Sequence, residues 1–338
     1  MSTYKEAGVD LDAAEELVER IGWRVTSTWT DDVVGEFGGF AAGIRIPPGY
    51  RSPVFVMTTD GVGTKAELAR VTGLLEGIGY DLVAMVVDDL AAAGAQGLAI
   101  TDYVAVGQMD LDLVESLVES ITDACNEAEV ALIGGETAEH PGVMDNDRFD
   151  LAATALGVVE QDEVVDGSAI EPGDVVIGVH SPNLRSNGFS LVRALVVDQL
   201  DLDEQFPGED RSVAEVLLEP SIVYAPAVLN ALYRAEAHGL AHITGGGLPG
   251  KVIRILPEGT RAILEAARWE VPPVVTLISR LGNVSAPEMF RTFNMGIGFV
   301  VIAAEGDVDR LVKGFESYDR AASVIGRIVA GDRGVEIR

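Results

Sequence analysis

The run "YDLVAMVVDDLAAAGAQ", Tyr80 to Gln96, limits the folding of this chain more than any other segment. Its apolar residues continue around the whole circumference of a helix, so it predicts a long helix buried inside protein. A membrane span needs about 18 apolar residues without charges. Asp88 and Asp89 interrupt this run, and no other stretch reaches that length. Carboxylates in such a helix are costly unless a cation or hydrogen-bond donors compensate them. The plain alternative, a carboxylate that only caps or kinks the helix, suits one of the two but not both.

A chain of 338 residues is long enough for about two domains, each with its own core. The segment "MSTYKEAGVDLDAAEELVER" is charged throughout and lacks the apolar centre of a signal peptide, which makes a soluble cytoplasmic protein the expectation. The single cysteine, Cys125, lies in a helical pattern and is expected to pack in a core. His140, His180, His238 and His242 are scattered and spell no metal site, so any metal is expected on oxygen ligands, as for magnesium.

The formal net charge of −30 argues against nucleic acid or an anionic membrane as partner. Only four lysines occur, Lys5, Lys65, Lys251 and Lys313, against twenty arginines. An acidic, lysine-poor surface suits a salt-rich cytoplasm, where screening relieves self-repulsion, and the expectation is a halophilic protein.

Along the chain, "VDLDAAEELVERI" predicts a helix opened by Asp12 and Glu15 as an acidic capping box. "VVGEFGGFAAGIRIPPGY" is a glycine-rich loop, "PVFVMTTD" a buried strand, "ALIGGETAEHPG" a strand entering a turn, and "FDLAATALGVVE" another strand. The texture changes at "DEVVDGSAIEPGDVVIGV", which places a boundary near residues 162–172 and divides the chain into 1–165 and 166–338. The second half offers "RSNGFSLVRALVV" and "AHITGGGLPGKVIRIL" as loops entering helices, "SIVYAPAVLNALYRA" as a helix, and "TFNMGIGFVVIAA" as a strand. Strands and helices mix without strict alternation, so the class is α+β with two domains of α/β type.

The densest chemistry is "MTTDGVGTKAEL". It is not a P-loop, because the glycine spacing fails and Lys65 follows Thr64 instead of preceding it; "GEFGGFAAG" is likewise no dinucleotide fingerprint. The ingredients still favour an anion. Gly61 and Gly63 permit close backbone approach, Lys65 supplies a point charge for phosphate, and Asp60 is a candidate magnesium ligand. Asp88, Asp89 and Glu136, which follows the glycine pair of "LIGGETAEHPG", extend this to an acidic cluster for one or two magnesium ions and a nucleoside triphosphate.

Taken in order, "YKEAGVDLDAAEELVERI", "MTTDGVGTKAELA", "IGYDLVAMVVDDLAAAGA", "LIGGETAEHPGVM", "SNGFSLVR", "HITGGG" and "FRTFNMGIG" span nearly the whole chain. The set resembles the aminoimidazole ribonucleotide synthetases, or phosphoribosylformylglycinamidine cyclo-ligases. These belong to a wider ATP-binding superfamily with formylglycinamidine ribonucleotide synthetase, selenophosphate synthetase, thiamine-monophosphate kinase and a hydrogenase-maturation protein. The resemblance implies ATP-dependent closure of the imidazole ring of formylglycinamidine ribonucleotide, through phosphorylation of its formyl oxygen. It implies a homodimer, with strands of the first domain forming a β-barrel across the dimer and a second domain of mixed sheet covered by helices.

Carried to this sequence, the resemblance makes Asp60, Gly61, Gly63, Thr64 and Lys65 the first ATP and magnesium segment, with Asp88, Asp89 and Glu136 as further metal candidates. Gly38 and Gly39 join the phosphate-binding candidates. Ser186, Asn187, Gly188, Thr244, Gly245, Gly246 and Gly247 form loops for the substrate's ribose phosphate or for ATP. Arg291 and Asn294 of "RTFN" are candidate substrate contacts, Arg291 gripping a phosphate or pairing across a subunit interface. His242 is the histidine candidate for proton transfer, with orientation of the glycine loop as its alternative role. The chain departs from the family pattern at Arg185, where histidine is usual, at Asp88, where asparagine is usual, and at "TWTDDVVGEFGGF", which lacks the usual basic run. A small-molecule kinase and a nucleotide-binding maturation protein without turnover are the readings from other classes.

Overall fold

The computed structural model describes residues 5–6, 8–197 and 199–338; Tyr4 and Ala7 of the "YKEAGVD" motif lie outside the described residues. The first half runs through α1 (Leu11–Ser27), β1 (Val33–Val34), β2 (Gly43–Ile44), β3 (Pro53–Gly61), α2 (Lys65–Thr72), α3 (Ile78–Ala91), β4 (Gln96–Val106), α4 (Leu111–Glu127), β5 (Ala131–Glu139) and β6 (Phe149–Glu160). The second runs through β7 (Val175–His180), α5 (Phe189–Val192), α6 (Val213–Leu217), α7 (Ala225–Arg234), β8 (Gly239–His242), α8 (Gly247–Ile255), β9 (Thr260–Leu264), α9 (Pro273–Gly282), α10 (Ala286–Thr292), β10 (Ile297–Ala303), α11 (Val308–Glu316), β11 (Ala322–Ala330) and β12 (Gly334–Ile337).

Two mixed sheets organise these elements, as the α+β expectation requires. The first has the order β3-β6-β4-β5 and is antiparallel except for the β4–β5 pair. The second has the order β12-β9-β11-β7-β10-β8 and is antiparallel except for β12–β9. One apolar cluster joins α3 and α4 to the α7 and α11 side of the second sheet, and a separate cluster fills that sheet's other face beneath α8.

The apolar run that opened the sequence becomes α3, and its burial explains its composition. Every residue from Leu82 to Leu90 is buried except Asp89. The helix packs on β3 and β6, crosses α4, and touches α7 of the second half. At the crossing with α4 a side chain on Gly79 would lie 2.2 Å from the backbone of Ser120 and Ile121, so only glycine permits the approach. Cys125 sits in the same core, where burial pushes its thiol up out of the reactive range.

One local expectation is corrected. Asp10, not Asp12, caps α1, accepting from the Ala13 N–H at 3.4 Å; Asp12 lies in the first turn, where a carboxylate suits the helix dipole.

The first sheet's two faces differ. The burial expected of β3 is corrected: Val54, Val56 and Thr58 turn toward α3 and are half-buried, while Phe55 and Met57 on β3 and Tyr103 on β4 are exposed on the opposite face.

Candidate active site

The cleft between the two halves is built around the C-terminal end of β3 and the solvent edge of α3. Asp60 pairs in register with the buried Ala153, so its side chain lies on the α3 side of the sheet, exposed beyond the end of the helix layer. Thr58, two residues earlier on the same face, has its hydroxyl 3.5 Å from Asp89 Oδ2. Asp60 and Asp89 therefore stand near one another, and both remain accessible.

Asp89 is anchored from behind. His242, at the end of β8, donates from Nδ1 to Asp89 Oδ1 at 2.8 Å. Burial alone would raise the Asp89 carboxyl, yet the His242 bond and the nearby Lys251 charge outweigh it and leave it below its ordinary value. Lys251, on the first turns of α8, is half-buried and interacts electrostatically with both Asp89 and Asp60. Burial and the Arg254 charge lower its ammonium, while the two carboxylates oppose that shift.

Three loops close around this cluster. Thr64 Oγ1 lies 3.1 Å from Ser190 Oγ, which brings "DGVGTK" against the start of α5. Asn187 faces Gly245, and a side chain on Gly188 would collide with the Phe293 ring, so "SNG", "TGGG" and "RTFN" pack as one unit. Gly247, at φ +59, passes so close to the Phe290 and Phe293 carbonyls that no side chain fits. Helices α2 and α8 both start without a side-chain cap, at Thr64 and Gly246; of their first N–H groups, those of Ala66 and Gly247 donate to the Gly63 and Thr244 carbonyls, and Pro249 has none.

Several expectations change here. Lys65 is fully buried and does not reach the cleft. Its ammonium lies 2.7 Å from Asp81 Oδ2 and donates to the carbonyls of Arg185 and Glu219 at 3.1 and 2.8 Å, which uses its three donors. Burial pushes Lys65 down and Asp81 up, each opposed by the other's charge. Ser221 completes the cluster by donating to Asp81 from its N–H and hydroxyl. The triphosphate role expected of Lys65 is thus corrected to a clamp between the halves.

Asp88 is corrected too. Its Oδ2 pairs with Arg185 at 2.6 Å, and its Oδ1 accepts from the Tyr224 and Ala225 N–H groups, so no lone pair faces solvent for a metal. His242 is buried with both ring nitrogens engaged, Nε2 by Arg185 and Nδ1 by Asp89, which removes proton transfer to substrate and keeps the orienting alternative. Burial, then the Arg185 charge, holds its imidazole below the usual histidine range.

Asn294 is buried, donating to Ser181 Oγ and the Asn183 carbonyl and accepting from the Gly296 N–H; it shapes the 181–185 turn instead of facing substrate. Glu136 pairs with Tyr103, which pairs with Ala152, opposite Gly61; it lies on the exposed face, three strands from β3, about 14 Å away at ordinary strand spacing. It cannot share a metal with Asp60 in one subunit, and among the described residues no group of three potential ligands assembles. Gly38 and Gly39 project in an exposed turn whose neighbour Phe37 abuts Gly22 on α1. Arg291 is exposed near the end of α10.

Lys251 was missed because nothing in "LPGKVIRIL" marks it apart from its distance along the helix from "TGGG". The glycine loop before it was the signal available. A large cavity of about 1080 Å³ lies elsewhere, near the link between halves, lined by Tyr50, Glu160, Tyr233 and His238, and contains none of the candidate residues.

Comparison with known proteins finds relatives over nearly the whole chain. Residues 40–159 match the family described as AIR synthase related protein, N-terminal domain, and residues 171–337 match AIR synthase related protein, C-terminal domain. The chain is 45% identical over 338 residues to the phosphoribosylformylglycinamidine cyclo-ligase of Carboxydothermus hydrogenoformans, covering 99% of this chain and 98% of that protein. Among solved structures it resembles thiamine-monophosphate kinase from Stenotrophomonas maltophilia (TM-score 0.68, 21% identity, 95% of each chain). It also resembles hydrogenase maturation protein HypE in complex with ATP (TM-score 0.69, 17% identity, 98% of this chain and 92% of that one). At such identities the two structures attest the fold.

Proposed function

The chain belongs to the AIR synthase family, and from that premise we propose that it is a phosphoribosylformylglycinamidine cyclo-ligase of purine biosynthesis, working in the cleft described above. The observation that carries the site reading is convergence: Asp60, Asp89, Lys251 and the uncapped starts of α2 and α8 meet at one place.

In this reading the γ-phosphoryl group of ATP passes to the formyl oxygen of formylglycinamidine ribonucleotide, releasing ADP. The amidine nitrogen then attacks the formyl carbon, and the oxygen leaves as phosphate with loss of a proton. Amide oxygen is a poor leaving group, so phosphorylation is what makes closure feasible, and the protein's part is positioning and charge stabilisation. Lys251 and the N–H groups of Gly63, Thr64 and Gly246 hold phosphate oxygens. Ser186, Asn187, Gly188, Thr244 and Gly245 line the substrate side, with Arg291 at its rim.

The donor set fits magnesium: two accessible carboxylates and nearby hydroxyls, with phosphate oxygens completing the shell, are what a small hard cation takes. Asp60 and Asp89 would hold it, and when bound it supplies charge neutralisation on the phosphates. The exposed sheet face with Phe55, Met57 and Tyr103 supports a homodimer in which a second copy covers it. Glu136 and the Gly38–Gly39 turn then approach a phosphate site only across that interface. The acidic surface supports a salt-rich cytoplasm as the working environment.

A turnover assay with formylglycinamidine ribonucleotide, ATP and magnesium in molar potassium chloride tests the function. Aminoimidazole, ADP and phosphate are expected in equal amounts. A stable phosphorylated product without aminoimidazole would make the protein a kinase, and tight ATP binding without ADP release would make it a binding protein.

A further inference from the structure

We propose that Arg185 and His242 form a buried brace that holds Asp89 in its cleft-facing orientation, with Arg185 selecting the imidazole tautomer that makes this possible. The inference rests on the reading of Asp89 as a ligand for magnesium and nucleotide.

The argument starts from what each group can donate. A guanidinium has donors only, so the 2.8 Å contact between Arg185 Nη1 and His242 Nε2 requires an unprotonated Nε2. In a neutral ring the proton then sits on Nδ1, which is 2.8 Å from Asp89 Oδ1 and donates to it. One oxygen of Asp89 is thereby occupied from the protein side. The other, Oδ2, has only the weak Thr58 contact at 3.5 Å and stays available to the cleft.

Arg185 is itself immobilised. Its Nη2 donates to Asp88 Oδ2 at 2.6 Å and to the Ile222 carbonyl at 3.2 Å, and its guanidinium carbon lies 4.8 Å from the centre of the Tyr224 ring. Asp88 in turn accepts from the Tyr224 and Ala225 N–H groups. His242 stacks against Phe299, 6.2 Å between ring centres and 20° from parallel, which fixes its plane. Adjacent residues of α3 thus divide the work: Asp88 holds the arginine and Asp89 receives the histidine. The brace crosses from the second half of the chain to the first, so the orientation of a cleft carboxylate depends on how the halves dock. A histidine hydrogen-bonded behind a ligating carboxylate is an outer-shell device, and loss of such a partner typically weakens metal binding about 10- to 100-fold.

Two measurements test the proposal on the full-length protein. In nitrogen-15 histidine spectra one imidazole, lost in His242→Asn, is expected to carry its proton on Nδ1 with Nε2 bare; an Nε2–H or doubly protonated ring would overturn the brace. Calorimetric titration with magnesium ADP then compares His242→Asn, which keeps a donor toward Asp89, with His242→Phe, which keeps the ring stack and has none. Both lose the ring nitrogen that accepts from Arg185, and because H242F retains the ring stack that H242N gives up, weaker binding by H242F points to the bond to Asp89. H242F is expected to bind about ten-fold or more weakly than H242N at similar melting temperatures. Equal binding by the two variants would overturn the proposal. Failure of the unaltered protein to bind magnesium ADP would overturn the reading of the site itself, while the imidazole spectrum still decides whether the brace exists.

Discussion

Helices α2 and α8 use the same vocabulary and end in opposite roles. Each follows a glycine loop, lacks a side-chain cap and carries a lysine in its first turns. Lys65 shares a helix face with the buried Leu68 and Ala69, three and four residues on, so the face that packs carries the ammonium inward to Asp81. Lys251 also follows a buried leucine, Leu248, by three residues, but Arg254 three residues on is exposed and Ile255 only half-buried, and the lysine stays half-exposed, within reach of Asp60 and Asp89. A lysine beside a glycine loop is therefore no guide to phosphate contact until the packing around it is known.

The contrast can be broken most sharply at Lys65. Lys65→Met leaves Asp81 buried without its cation and is expected to cost about 3–5 kcal/mol of stability, seen in chemical denaturation, with pairing to Asp81→Leu restoring much of it. A fully stable K65M variant that had only lost turnover would return Lys65 to the phosphate.

The neighbouring carboxylates separate the same way on α3. Asp88→Asn should destabilise by about 3 kcal/mol, because the Arg185 charge stays buried without a counter-ion. Asp89→Asn should leave the denaturation midpoint nearly unchanged and raise the magnesium concentration needed for half-maximal rate. The reverse ranking would exchange their roles.

On α8, Lys251→Gln should lower kcat/KM about 100-fold, a magnitude typical of losing one group that stabilises developing charge. Its stability should change by only about 0.5 kcal/mol. Steady-state kinetics beside a melting curve would separate the two.

The smallest expected effect lies on the outer side of α2. Glu67 hydrogen-bonds Arg70 at 2.9 Å and pairs with Arg148, and these contacts, Arg70 first, hold its carboxyl down at about 2 from an ordinary 4.5. A depressed carboxyl contributes stability above its unfolded value and loses it as pH falls, here between 4.5 and about 2. Glu67→Gln should flatten that part of the acid-denaturation curve; an unchanged slope would remove the contribution.

Much of the fold was legible in the sequence. The run that became α3 had to be enclosed, the β-branched segments became β3, β6, β7 and β10, and the glycine loops entering α5 and α8 appeared where expected. Family membership was legible too, because the ordered motifs extend across the chain. The site was legible only as a region. Asp60, Asp89 and the "SNG" and "TGGG" loops do converge, but Asp88, His242 and Asn294 turned out to hold the region together. Buried polar groups and cleft-facing ones look alike in a sequence, since both interrupt apolar patterns near loops.

Register made the remaining difference. Glu136 and Asp60 both lie on strands beside glycines, and nothing local distinguishes them. Only the pairing β3-β6-β4-β5 sends them to opposite faces, because side chains along a strand alternate and one position decides the face. Composition, periodicity and motif order by themselves determined a two-part α+β protein, its family and the neighbourhood of its chemistry, since these follow from local preference and from apolar surface that must be buried. Which lysine is buried and which stays half-exposed, which carboxylate is paired and which is accessible, and what each nitrogen of His242 contacts were decided by tertiary structure alone. Those outcomes depend on partners about 60 to 150 residues away in the chain: Arg185 meets His242 when the second half folds, and His242 meets Asp89 only when the two halves dock.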